Sequence, residues 1–166
     1  IPAVKVLTDI TPQAGFEYAK NNFHCDSLVE GEYRYVYENG EQVSQYFTDI
    51  VQSLALGGIT DGVTNLELTA AYAANANGGL YNEPVFYTKV VDHDGNVILD
   101  NSEPESSRAI KETTAWLLTD VMKEVLTRGT STVARFSGMS QAGKSGTSND
   151  DRDVWFVGYT PYYTCG

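Results

Sequence analysis

The chain has 166 residues, 42% of them hydrophobic, which suits one soluble globular domain able to bury a sizeable core. Its formal charge of −11 comes from 22 acidic against 11 basic side chains spread along the chain, which argues against an acidic tail and against a nucleic-acid partner. Its apolar runs fall far below the roughly 20 residues that a membrane helix needs.

Residues 2–10 read as a short helix with Pro2 in its first turn, where no amide partner is required. Thr11-Pro12 is a cap-then-proline signal for a second helix running towards Asn22. Tyr33, Tyr35 and Tyr37 alternate ahead of Asn39-Gly40, a strong turn signal, so a small surface hairpin is expected within residues 24–48. The glycines of residues 53–63 mark a tight loop. Thr64 and Glu67 then form a capping box at the start of a helix that continues through Leu68, Ala71, Tyr72 and Ala76 and ends at Gly78-Gly79. Residues 86–99 read as two strands joined around Asp94-Gly95, and residues 100–107 as a polar loop. A long amphipathic helix is expected over 109–126, with Ala115, Leu118, Met122 and Val125 inward and Trp116 packing it onto a sheet. The last stretch reads as strand, polar turn and strand, with Trp155 and Phe156 on opposite faces. This order predicts a mixed α/β (α+β) domain with helices packed on antiparallel strands.

The chemistry-bearing segment is Gly143-Lys144-Ser145-Gly146-Thr147. Strand alternation sends Lys144 and Gly146 one way and Ser145 and Thr147 the other. An ammonium and two hydroxyls within four positions can bind a carboxylate, and Gly146 lets a ligand lie close against the backbone like an added strand. Taken alone, these residue types also make ordinary exposed turns.

Residues 142–161, AGKSGTSNDDRDVWFVGYTP, closely resemble the third active-site motif and following strand of class A penicillin-binding proteins, the bifunctional peptidoglycan synthases. The family's lysine-threonine-glycine motif appears as Lys144-Ser145-Gly146, with a serine in place of the threonine. Residues 57–79 resemble the family's loop and helix near the cleft, and residues 125–130 its segment ahead of the third motif. Ile1-Pro2-Ala3-Val4 resembles the stretch directly after its serine-x-asparagine motif. The tyrosine-rich stretch at about 24–48 falls outside the resemblance and reads as a family-specific insertion. Both ends look cut, so the whole of 1–166 is expected to be the C-terminal part of a transpeptidase domain. The penicillin-binding-protein/β-lactamase-like fold would then be incomplete.

The resemblance implies a serine D,D-transpeptidase that cross-links peptidoglycan stem peptides ending in D-Ala-D-Ala and is acylated by β-lactams. It implies that Lys144 supplies positive charge and orients the serine of the second motif. Ser145 and Thr147 would contact the terminal carboxylate, Gly146 would allow close approach, and the Thr147 amide would serve the oxyanion. No cofactor or metal is implied. The implied partners are the stem peptide, β-lactams and the rest of the parent domain, at the extracytoplasmic face of a bacterial membrane. No serine here is followed three positions later by lysine, and no serine-x-asparagine lies near the start, so the isolated chain is expected to be inactive. A β-lactamase-like or D,D-carboxypeptidase hydrolase of the same fold, and a non-catalytic binding module, are the competing readings.

The remaining polar residues have plainer explanations. His24 and His93 read as surface groups. Asp92, Asp94 and Asn96 fit a β-turn, since no glutamate closes a calcium loop. Asn149, Asp150, Asp151 and Asp153 fit a solvated strand connection, and Glu67 a helix cap. Cys25 and Cys165 match neither zinc nor Cys-x-x-Cys spacing, and leave a disulfide and two free thiols both open.

Overall fold

The computed structural model describes residues 2–166, with Asp150 described through its backbone alone; Ile1, which opens the Ile1-Pro2-Ala3-Val4 segment, lies outside the described residues. The chain divides into two compact units, residues 1–67 and 68–166.

In the first unit, α1 spans Pro2–Ile10 and α2 Pro12–Glu17, continued by a π-helical turn over Tyr18–Asn22. The cap-then-proline signal is realised at Thr11, whose hydroxyl accepts from the Ala14 amide at 3.3 Å. Phe16, Cys25 and Leu28 form the buried centre of this unit, with Phe23, Ile50 and Leu54 packed around it. Strands β1 (Glu32–Glu38) and β2 (Glu41–Phe47) pair antiparallel in register from Glu32 opposite Phe47 to Glu38 opposite Glu41. Asn39 and Gly40, at φ 52° and 86°, make the left-handed turn between them.

Two carboxylates organise the loops of this unit. Asp49, 1% exposed, accepts from the Val29 amide and from both the amide and the hydroxyl of Thr60. Glu67 closes the capping box with Thr64: the Thr64 amide donates to its Oε2 at 2.7 Å, and its own amide donates to the Thr64 hydroxyl at 3.2 Å. The same carboxylate takes the amide and hydroxyl of Ser27, so it ties a distant loop to the start of α3 (Asn65–Ala76).

In the second unit, α3 leads through Gly78 and Gly79 into β3 (Leu80–Asn82). Gly79 sits at φ 85°, and a Cβ there would lie 2.3 Å from the Ile110 carbonyl oxygen, so only glycine fits. The Gly79 carbonyl in turn accepts from the amides of Ala109 and Ile110. The hairpin expected over 86–99 is present as β4 (Lys89–Val91) and β5 (Val97–Asp100). The turn between them is an Asx turn: Asp92 Oδ1 accepts from the amides of Asp94 and Asn96, which is the turn reading of those residues.

Three sequence expectations need correction here. The polar loop over 100–107 gives way to strand at its end, because β6 (Ser106–Arg108) pairs with β3. The long helix, α4, spans Glu112–Thr127, since Ala109 and Ile110 are held outside it by Gly79. Its inward stripe is Ala115, Met122 and Leu126, with Leu118 45% and Trp116 63% exposed, so Trp116 does not pack α4 onto the sheet.

The main sheet contains β7 (Ala142–Thr147), β8 (Val154–Tyr159) and β9 (Thr164–Cys165) in the order β7-β8-β9, all antiparallel. Its core side meets α4 and α3 through Met122, Ala142, Tyr159 and Tyr72. Trp155 lies on the same face as the buried Val157 and Tyr159, and Phe156 on the opposite, exposed face. Helices packed on antiparallel strands are the architecture the element order predicts.

Candidate active-site strand

Strand β7 begins buried and ends in solvent. Ala142 and Gly143 are buried, Ser145 is half-buried, and Lys144, Gly146 and Thr147 are exposed. The buried start is fixed by packing, since Ala142 lies opposite Tyr159 and meets Met122 of α4. Gly143 is a structural glycine: a Cβ there would come within 2.8 Å of the Phe156 ring and 3.0 Å of the Val157 carbonyl oxygen. Gly146 differs, because a Cβ there would meet nothing within 4 Å. Among the described residues the space beside it is open, and its lack of a side chain serves no packing against them.

Among the described residues β7 pairs on one side only, with β8, so its other edge keeps free backbone donors and acceptors. By register Lys144 lies opposite Val157, on the face of the buried core, while Ser145 lies opposite Phe156 on the other face. Alternation thus separates the lysine from the hydroxyls of Ser145 and Thr147. The Lys144 side chain nevertheless folds back over its own strand, where Nζ donates to the Ser145 carbonyl.

The Ser145 hydroxyl lies 2.9 Å from the hydroxyl of Thr130. Thr130 comes just after the end of α4, where Gly129 lets the chain turn back: a Cβ at Gly129 would lie 2.6 Å from the Cα of Val125. The Ser131 amide donates to the Val125 carbonyl and closes that turn. On sequence grounds Thr130 belongs to the family-like stretch 125–130 without a role of its own. The available signal was a glycine directly after a helix, followed by a hydroxyl residue.

A buried polar cluster holds the sheet against the helices. Asn75 of α3 donates through Nδ2 to the Tyr159 hydroxyl at 2.6 Å, and Thr119 of α4 shares that hydroxyl at 2.8 Å. Burial raises the Tyr159 pKa, and the hydrogen bonds from Thr119 and Asn75 work against that rise. Among the described residues Asn75 Oδ1 is buried without a partner. Beside it a groove of about 560 Å³ is lined by Ala76, Gly78, Ala115 and Trp116, and no residue of the β7 motif lines it.

The other polar candidates fall to surface or structural positions. His93 is a surface group paired with Asp94 at 3.2 Å. Cys25 is buried, Cys165 exposed, and both are free thiols. No cluster of metal-ligating side chains occurs among the described residues. Among them, too, no helix is long and apolar enough to cross a membrane.

The sequence and the fold are similar to those of known proteins. The family model for the penicillin binding protein transpeptidase domain matches residues 24–164. Penicillin-binding protein 1A/1B of Bacillus subtilis is 35% identical over 144 residues, a match covering 77% of this chain and 16% of that protein. Penicillin-binding protein 1F of the same organism is 34% identical over 98% of this chain and 20% of its own length. The chain therefore spans a fifth or less of the length of these two relatives. Among solved structures, the D,D-transpeptidase domain of a peptidoglycan glycosyltransferase from Eggerthella lenta is 31% identical. Its TM-score is 0.56, over 62% of this chain and 25% of that one. The penicillin-binding protein PonA1 of Mycobacterium tuberculosis is 27% identical with a TM-score of 0.59, over 77% of this chain and 33% of that one. A three-residue motif could arise by chance, but a match running from the first hairpin through β9 could not, and the chain belongs to the penicillin-binding protein transpeptidase family, on its class A side.

Proposed function

We propose that residues 1–166 form part of the catalytic domain of a serine D,D-transpeptidase that cross-links peptidoglycan stem peptides and is acylated by penicillins. In this reading β7 is one wall of the substrate groove. The observation that carries it is the unpaired edge of β7, flanked by Lys144, Ser145 and Thr147, with open space at Gly146. A donor peptide ending in D-Ala-D-Ala would lie along that edge as an added strand. The Ser145 and Thr147 hydroxyls would take its terminal carboxylate, and the Lys144 ammonium would add positive charge and orient a serine supplied from elsewhere in the domain. The Thr147 amide would stabilise the oxyanion of the acyl-transfer step. A penicillin presents the same carboxylate beside a reactive carbonyl, and a complex with penicillin V is known for PonA1.

The parent protein would act at the extracytoplasmic face of the membrane, with the tyrosine hairpin as an insertion in the domain. The chain alone lacks a serine followed three positions later by lysine, so it has no nucleophile of the family's kind and is inactive by itself. The test is labelling with a fluorescent penicillin. The 166-residue chain stays unlabelled, whereas the complete domain is labelled, and Ser145→Ala with Thr147→Ala slows that labelling by about 10- to 100-fold through loss of two hydrogen bonds to a charged group. Labelling of the isolated chain, or a double variant as fast as the parent, would overturn the assignment.

A further inference from the structure

Ser145 stands where the family's motif usually has threonine. The hydroxyl is kept and the methyl on Cβ is lost. That methyl matters for aim, because a branched Cβ restricts χ1, whereas a serine hydroxyl turns among three staggered positions. Thr147, the second hydroxyl of the strand, carries its own branch. Of the two, Ser145 is the one whose direction has to be set from outside.

Thr130 is in place to set it. Its hydroxyl lies 2.9 Å from the Ser145 hydroxyl, 15 positions away in sequence. Among the described residues the Thr130 side chain has one hydrogen-bond partner, and it is this hydroxyl. The backbone around Thr130 is held without that side chain. The Arg128 amide donates to the Glu124 carbonyl at 3.0 Å, and the Ser131 amide donates to the Val125 carbonyl at 3.2 Å. Ser131 is itself buried, at 5% exposed. The Thr130 hydroxyl thus starts from a fixed position and neither caps α4 nor closes the turn.

A hydroxyl has one proton and two acceptor positions. If Ser145 donated to Thr130, it would turn only lone pairs towards a carboxylate, and these repel an anion. If Thr130 donates, the Ser145 oxygen accepts on one side and its own proton is free for the anion. A carboxylate beside β7 selects the second arrangement, and the run from Thr130 O–H to Ser145 O–H to carboxylate is polarised in one direction. No proton changes owner. We propose that Thr130 is a positioning residue: its hydroxyl donates to the Ser145 oxygen and turns the Ser145 proton towards a carboxylate on the edge of β7. This role rests on the reading of β7 as the wall that takes a terminal carboxylate, and it adds a residue outside the motif that does not itself touch the substrate.

The test is the second-order rate of acylation of the complete domain by a fluorescent penicillin. Thr130→Val keeps the branched shape and removes the hydroxyl, and it slows acylation about 3- to 10-fold. Part of that loss comes from three staggered positions left open, and part from a weaker bond to the charged group. Thr130→Ser, which keeps the hydroxyl, stays within about twofold of the parent. In a Ser145→Ala background Thr130→Val adds nothing, since the group it aims is gone. In a Ser145→Thr background, where the branch sets χ1, Thr130→Val costs less than about twofold. Thr130→Ala repeats the series if valine lowers the urea midpoint of the domain. Thr130→Val as fast as the parent, with Ser145→Ala slow, would overturn this role and leave the β7 reading standing. An equal loss from Thr130→Val in all three backgrounds would mark a structural role and overturn it too. Ser145→Ala as fast as the parent would remove the carboxylate contact and this role together.

Discussion

Replacing Tyr159 by phenylalanine removes one oxygen atom and tests how the sheet is held to its helices. The Tyr159 hydroxyl is the partner of Asn75 Nδ2 at 2.6 Å and of Thr119 Oγ1 at 2.8 Å. Without it, Asn75 keeps a 3.3 Å contact to Thr119 as its partner in the cluster, and Asn75 Oδ1 is already unpaired. Asn75 is 4% exposed, so water cannot replace the lost hydroxyl without opening the site. Leaving a buried donor poorly satisfied costs about 1–3 kcal/mol, and the ring itself still fits. Tyr159→Phe is therefore expected to destabilise the chain by about 2 kcal/mol in urea unfolding, read by the fluorescence of Trp155 on the same strand. The double variant Asn75→Ala with Tyr159→Phe should cost less than the sum of the singles by about 1 kcal/mol, because the two changes remove the same bond. The folded pKa of Tyr159 lies above its unfolded value of 10, so its contribution is complete below pH 10 and declines as pH rises further. Phenylalanine removes that share of the alkaline loss and leaves the share due to Tyr72, which burial raises in the same direction. A Tyr159→Phe chain within about 0.5 kcal/mol of wild type, with additive double-variant effects, would refute the argument.

Glu67→Ala removes the capping box and the link to Ser27 together, and should cost about 2–3 kcal/mol, against about 1 kcal/mol for Thr64→Ala, both by urea unfolding. Partial burial raises the Glu67 carboxyl, but hydrogen bonds from Ser27 and Thr64 outweigh that and hold it at about 2, below its ordinary 4.5. Its stabilisation is thus full above pH 4.5 and is lost as pH falls towards 2, and an acid-unfolding curve of Glu67→Ala should lack that component. For the thiols, burial first and then the carboxylates of Glu67 and Asp26 push Cys25 up to about 11. Ellman's reagent at neutral pH should therefore modify Cys165 promptly and Cys25 only on unfolding, and rapid modification of both would contradict the packing around Phe16 and Leu28.

Local signals carried most of the fold. The Asn-Gly turn, the Thr64–Glu67 box and the Asp94-Gly95 turn each act over a few residues, and each formed where its chemistry demanded. Pairings over long sequence separation were not legible. Short strands β3 and β6 pair residues 24 or more positions apart, and three residues each give no period by which to find them. Trp116 misled because hydrophobicity marks a side chain that prefers burial, without saying which face of α4 has a neighbour. At the candidate site, the motif on β7 was readable as a string, while the contact from Thr130 to Ser145 required the geometry of the turn at Gly129. The second role of Glu67, holding Ser27 forty positions away, was equally hidden, since a capping box explains the residue fully on local grounds.

The hairpin's base carries a consequence for how this unit can vary. The Thr48 hydroxyl donates to the Glu30 carbonyl at 2.6 Å, and the Asp49 amide donates to the Val29 carbonyl at 2.8 Å, so the chain departs and comes back at one point. An excursion clasped at its neck can lengthen, shorten or exchange its tip without disturbing the residues on either side. Its sequence is accordingly free to specialise, and a graft from a relative, joined at Val29 and Asp49, should leave the Phe16 core undisturbed.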